Sequence, residues 1–123
     1  MKAIILKAGK NARVADINPT YHNLSSLVGE RLEMTYPFED EYIAVVCNEE
    51  AILFDLPPTR VARRADGSVA EIYCGTLVVL ALAPEGEFRS LTDEEEELIL
   101  RVWGKPDEHI RWGFISQEGG MRA

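Results

Sequence analysis

Thr76-Leu77-Val78-Val79-Leu80-Ala81-Leu82-Ala83 is the stretch on which the fold turns. From Leu77 to Ala83 no polar side chain interrupts, and Pro84 closes the run. A short, continuous, branched run bounded by turn residues reads as a strand buried on both faces. A bilayer-crossing helix would need about 20 such residues, so no membrane segment is expected. The strand belongs at the centre of a sheet. Gly75 precedes it, and Val69 to Cys74 reads as a further strand after the turn signal Asp66-Gly67.

Downstream, Leu91-Thr92-Asp93-Glu94-Glu95 opens a helix with capping-box spacing, Thr92 as N-cap and Glu95 three residues on. Leu98, Ile99 and Val102 continue an apolar stripe, and Gly104-Lys105-Pro106 ends the helix after Trp103. The acidic run Asp93 to Glu97 complements the helix dipole and reads as a solvated face.

Upstream, Tyr42 to Cys47 is rich in β-branched residues and reads as a buried strand. Asn48-Glu49-Glu50 has the chemistry of a hairpin turn, which makes Ala51-Ile52-Leu53-Phe54 an expected antiparallel neighbour of that strand. Leu56-Pro57-Pro58 stops the ladder and leads into an irregular basic stretch containing Arg60, Arg63 and Arg64. Arg31 to Tyr36 alternates as a half-buried strand, Tyr21 to Val28 forms a short helix closed by Gly29, and Met1 to Leu6 pairs with Ala12 to Ile17 in an N-terminal hairpin. These elements compose an α+β fold: a mainly antiparallel sheet with two short helices in a single compact domain over residues 1–106. Residues 107–123 form a C-terminal extension, docked or at an oligomer interface. Trp103, Trp112, Phe114 and Ile115 are more apolar surface than one small domain end needs, so they are the expected interface of a homodimer or higher oligomer.

The chain's 123 residues suit one domain, and 46% hydrophobic with 28% charged residues is a globular composition. Thirteen Lys and Arg against twenty-one Asp and Glu leave a net charge of −8, which argues against nucleic acid as the main partner. The two cysteines, Cys47 and Cys74, sit inside apolar runs and read as buried free thiols of a cytoplasmic protein. Lys7 cuts off the N-terminal apolar run well short of a signal-peptide core.

The run Cys47-Asn48-Glu49-Glu50, Leu56-Pro57-Pro58-Thr59-Arg60, Cys74-Gly75-Thr76 and Phe88-Arg89-Ser90-Leu91-Thr92-Asp93-Glu94-Glu95 resembles the family called domain of unknown function 3846, over about residues 25–103. The resemblance implies a small protein of bacteriophages or mobile elements, and it brings no activity or catalytic residue set. Thr59 stands where the family tends to have Asn, and the C-terminal extension lies outside the resemblance.

The common catalytic motifs are absent. His22 and His109 lack flanking motifs, there is no nucleophile elbow, zinc-protease helix or phosphate loop, and the cysteines lack metal-ligand spacing. No enzyme activity, metal or cofactor is therefore expected. Arg60, Arg63 and Arg64 are the one dense basic cluster, presented after a stiff Pro-Pro segment. Guanidinium groups bind phosphates bidentately, so the cluster is the expected seat of a small nucleotide-like anion, with Asn48 reading polar edges and Tyr73 stacking on a base. The competing reading pairs the cluster with the eight acids of residues 28–58, and makes Asn48 and Glu49 ordinary turn residues. Two functions follow. By analogy with small phage proteins that sequester nucleotide-derived defence signals, the first is a non-catalytic sponge. The second is an acidic inhibitor of a host defence or DNA-binding enzyme, in which the helix from Asp93 and the acids Glu39, Asp40 and Glu41 imitate DNA phosphates.

Overall fold

Leu77–Leu82 is strand β7, with all six residues buried, and it lies between β1 (Lys2–Leu6) and β4 (Ile43–Asn48). Both neighbours run antiparallel to it, Ile4 opposite Val79 on one side and Val45 opposite Val79 on the other. The computed structural model describes residues 1–106. Outward from the centre, β2 (Arg13–Asp16) pairs with β1, β3 (Leu32–Thr35) pairs with β4, and the two-residue β8 (Phe88–Arg89) pairs with Ala81 and Leu82. This is the expected mainly antiparallel α+β arrangement.

Side chains of a strand alternate between faces, and the central strands place apolar residues on both. On one face Ala3, Ile5, Val46, Val78 and Leu80 meet Leu24 and Val28 of α1 (Tyr21–Val28). On the other, Ile4, Leu6, Ile43, Val45, Leu77 and Val79 meet Ile99 and Trp103 of α2 (Asp93–Trp103). The hairpin of β5 (Pro58–Arg63) and β6 (Val69–Cys74) shares this second face through Tyr73 and Ala62. β5 and β6 form a separate two-stranded sheet.

Two expectations are corrected here. The basic stretch is not irregular: it is β5, and Pro58 begins it, the strand position at which a missing N–H is tolerated. Residues 51–54 are not a strand. β4 already has β3 on one edge and β7 on the other, so no edge remains for a third partner. The segment instead curls on itself, with Phe54 N–H donating to Glu50 O at 3.0 Å and Leu56 N–H to Ala51 O at 3.0 Å. Asp55, at φ 57°, turns the chain out of the coil.

Candidate functional site

Five residues were expected to share one anion site, and the structure distributes them over three places. Arg60 points inward from β5 and is 1% exposed. Its Nε donates to Trp103 O, its Nη1 to Thr59 O and its Nη2 to Lys10 O, each at 2.8 Å. The guanidinium thus sits at the C-terminal end of α2, where carbonyls lack helical partners and the dipole is negative. Arg63 and Arg64 serve the turn of the β5–β6 hairpin: Arg63 Nη1 donates to Gly67 O at 3.1 Å and Arg64 Nη1 to Val69 O at 2.7 Å. Arg60, Arg63 and Lys105 nevertheless line one cleft of about 190 Å³, floored by Phe38 and Trp103.

Asn48 and Tyr73 lie together elsewhere, in a cleft of about 260 Å³ whose charged lining is Glu33, Glu49 and Glu71. Three carboxylates repel an anion, so the pair is not placed to read a nucleotide. Asn48 closes its own turn, Oδ1 accepting from Glu50 N–H at 2.8 Å. Its amide also lies so close to Gly29, φ 129°, that a Cβ there would fall 2.5 Å from Nδ2. Tyr73 is 8% exposed, packs edge-on against Trp103 at 5.6 Å between ring centroids, and shares a hydrogen bond of 2.9 Å with Thr35. No ring face is offered to a base. Burial pushes the Tyr73 phenol up.

Cys47 and Cys74 border the same cleft as free thiols. Burial, reinforced by Glu33, pushes Cys47 up to about 12, and burial also raises Cys74. Both therefore stay protonated at neutral pH and are poor nucleophiles. Among the described residues no three His, Cys, Asp or Glu side chains converge into a metal site, and no helix is long and apolar enough to cross a membrane.

Of the expected oligomer residues, Trp103 is 3% exposed and belongs to the chain's own core, with Nε1–H donating to Val61 O at 3.0 Å. It cannot form an outer apolar patch. Trp112, Phe114 and Ile115 lie outside the described residues, as does His109. The acidic face of α2 is partly neutralised: Lys2 Nζ bonds Asp93 and Glu96 at 2.7 Å each, and Arg89 holds Glu95 through both oxygens.

What composition and pattern did not reveal is the turn after β4. Ile52, Leu53 and Phe54 are 80%, 74% and 60% exposed, three successive apolar side chains in water. Ile52 borders both the acidic cleft and an apolar cleft of about 380 Å³ lined by Leu56, Pro57, Pro58 and Ile72. The strand reading hid this, because half of any strand on a packed face would have been buried.

A family model described as domain of unknown function (DUF3846) matches residues 1–104. No curated protein and no solved structure matches the chain.

Proposed function

The chain belongs to the DUF3846 family, and from that premise we propose that it is a non-catalytic binding protein that acts by docking onto another protein. The observation that carries this reading is the exposure of Ile52, Leu53 and Phe54 on a turn held by its own backbone bonds. Burying a large apolar side chain is worth roughly 1.5–3 kcal/mol, so three of them supply a substantial driving force for association. In the phage or mobile-element setting that the resemblance implies, such a protein acts as an inhibitor or adaptor of a host enzyme. The rival function, sequestration of a nucleotide-like anion, would fall to the cleft of Arg60, Arg63 and Lys105. It is the weaker of the two because Arg60 already donates to three carbonyls of its own chain.

A photo-crosslinking amino acid at Leu53, compared with one at the exposed Glu94 of α2, tests docking in the cells that naturally carry the chain. A discrete adduct to a second protein species at Leu53 and not at Glu94 is expected. Adducts of equal yield at both positions, or adducts between copies of this chain alone, would overturn the proposal.

A further inference from the structure

Resting on the docking reading, we infer that the turn of residues 50–55 engages a basic protein surface, an apolar stripe or pocket framed by Lys and Arg side chains. The three exposed residues do not stand alone. The segment Asn48 to Leu56 contains Glu49, Glu50 and Asp55 and no basic residue. Glu33 and Glu71 border the adjoining cleft, which Ile52 also lines. Arg31 meets Glu49 at 3.2 Å, but both side chains are about half exposed or more, and such pairs contribute little. An apolar tip ringed by one sign of charge selects its partner by the opposite sign, which both steers the encounter and rejects other surfaces.

The same ring argues against a second copy of this chain as the occupant. A two-fold contact places one patch against itself, which would bring the two acidic rims together on chains that each carry −8. The turn is also kept open rather than collapsed onto the domain. Ala51 is buried at its base, and Leu56 packs so closely on Gly75, φ 80°, that a Cβ there would fall 2.8 Å from Leu56 Cδ1. With both ends seated, Ile52, Leu53 and Phe54 project, and the apolar cleft of Leu56, Pro57, Pro58 and Ile72 beside them can receive a side chain in return.

The test uses fluorescein-labelled peptides of alternating Lys and Leu, with Lys/Ser and Glu/Leu versions as controls, read by fluorescence anisotropy at physiological ionic strength. The Lys/Leu peptide should bind the full chain best. The variant Leu53→Ser/Phe54→Ser and the variant Glu49→Lys/Glu50→Lys should each weaken it by about tenfold or more. Glu94→Lys/Glu97→Lys, the same change of net charge placed on exposed residues of α2, should stay within about twofold. Circular dichroism confirms that each variant is folded. Equal weakening by the two charge variants would reduce the effect to bulk attraction and overturn the inference. Equal binding of the Lys/Ser peptide, or tighter binding of the Glu/Leu peptide, would overturn it too. A crosslink that persists at Leu53 while the peptides fail would remove the basic surface and leave docking standing; loss of both would remove docking itself.

Discussion

Arg60 has lost nearly all its water, and fixed carbonyls take the place of that hydration at three of its nitrogens. Buried charge is tolerated only when its donors are satisfied, and removing this one leaves three carbonyls without their donor, at about 1–3 kcal/mol for each that stays buried and unpaired. Arg60→Ala is therefore expected to lower stability by about 3 kcal/mol, seen as a reduced urea midpoint at an unchanged slope. Arg60→Lys should recover little of it, because an ammonium cannot reproduce a planar fork aimed at Trp103, Thr59 and Lys10 together. An unchanged midpoint would show that the three bonds contribute nothing, and would return Arg60 to the candidates for ligand contact. None of this was legible in the sequence, where Arg is among the residues least often buried and three arginines within five positions look like a surface cluster.

At the scale of elements, α2 shows how much a local signal can carry. Thr92 Oγ1 accepts from Glu95 N–H at 3.1 Å, and Glu95 Oε1 accepts from Thr92 N–H at 2.9 Å, closing the capping box that the spacing announced. Arg89 beside Glu95 holds that carboxyl below the ordinary value of 4.5, with help from the Thr92 backbone. A carboxylate depressed in the folded state stabilises above its unfolded pKa, and that contribution is lost as pH falls from the ordinary value through the lower folded one. Thr92→Ala should lower stability by about 1 kcal/mol, and Glu95→Gln should flatten the loss of stability on acidification, both measured by denaturant titration across that acidic range. A Glu95→Gln profile as steep as the wild type's would assign the acid sensitivity elsewhere. The helices and the central strands were legible because caps, periodicity and a seven-residue apolar run are properties of neighbours in sequence. Residues 51–54 were not, since whether an apolar run pairs depends on whether an edge is vacant, and β3 and β7 had taken both edges of β4. Pro57-Pro58 misled for a related reason: a proline that starts a strand looks, in sequence, like one that stops it.

For the whole molecule, one sheet is covered by α1 on one face and by α2 with the β5–β6 hairpin on the other. The hairpin is joined to the rest through Tyr73, Trp103 and Arg60 rather than through a shared strand ladder. Those ties are distant along the chain: Arg60 reaches Trp103 across 43 residues and Lys10 across 50. The three acceptors of Arg60 come from α2, from the β1–β2 turn and from β5 itself, so they converge on the guanidinium only after those elements have docked, and the clamp is expected to form after the rate-limiting step. Arg60→Ala should then speed unfolding and leave the refolding rate nearly unchanged, which stopped-flow rates on the two sides of the urea midpoint resolve. Slower refolding would instead place the clamp in the folding nucleus. On the expected outcome, the buried arginine acts as a latch that closes last and sets how long the native state persists once formed.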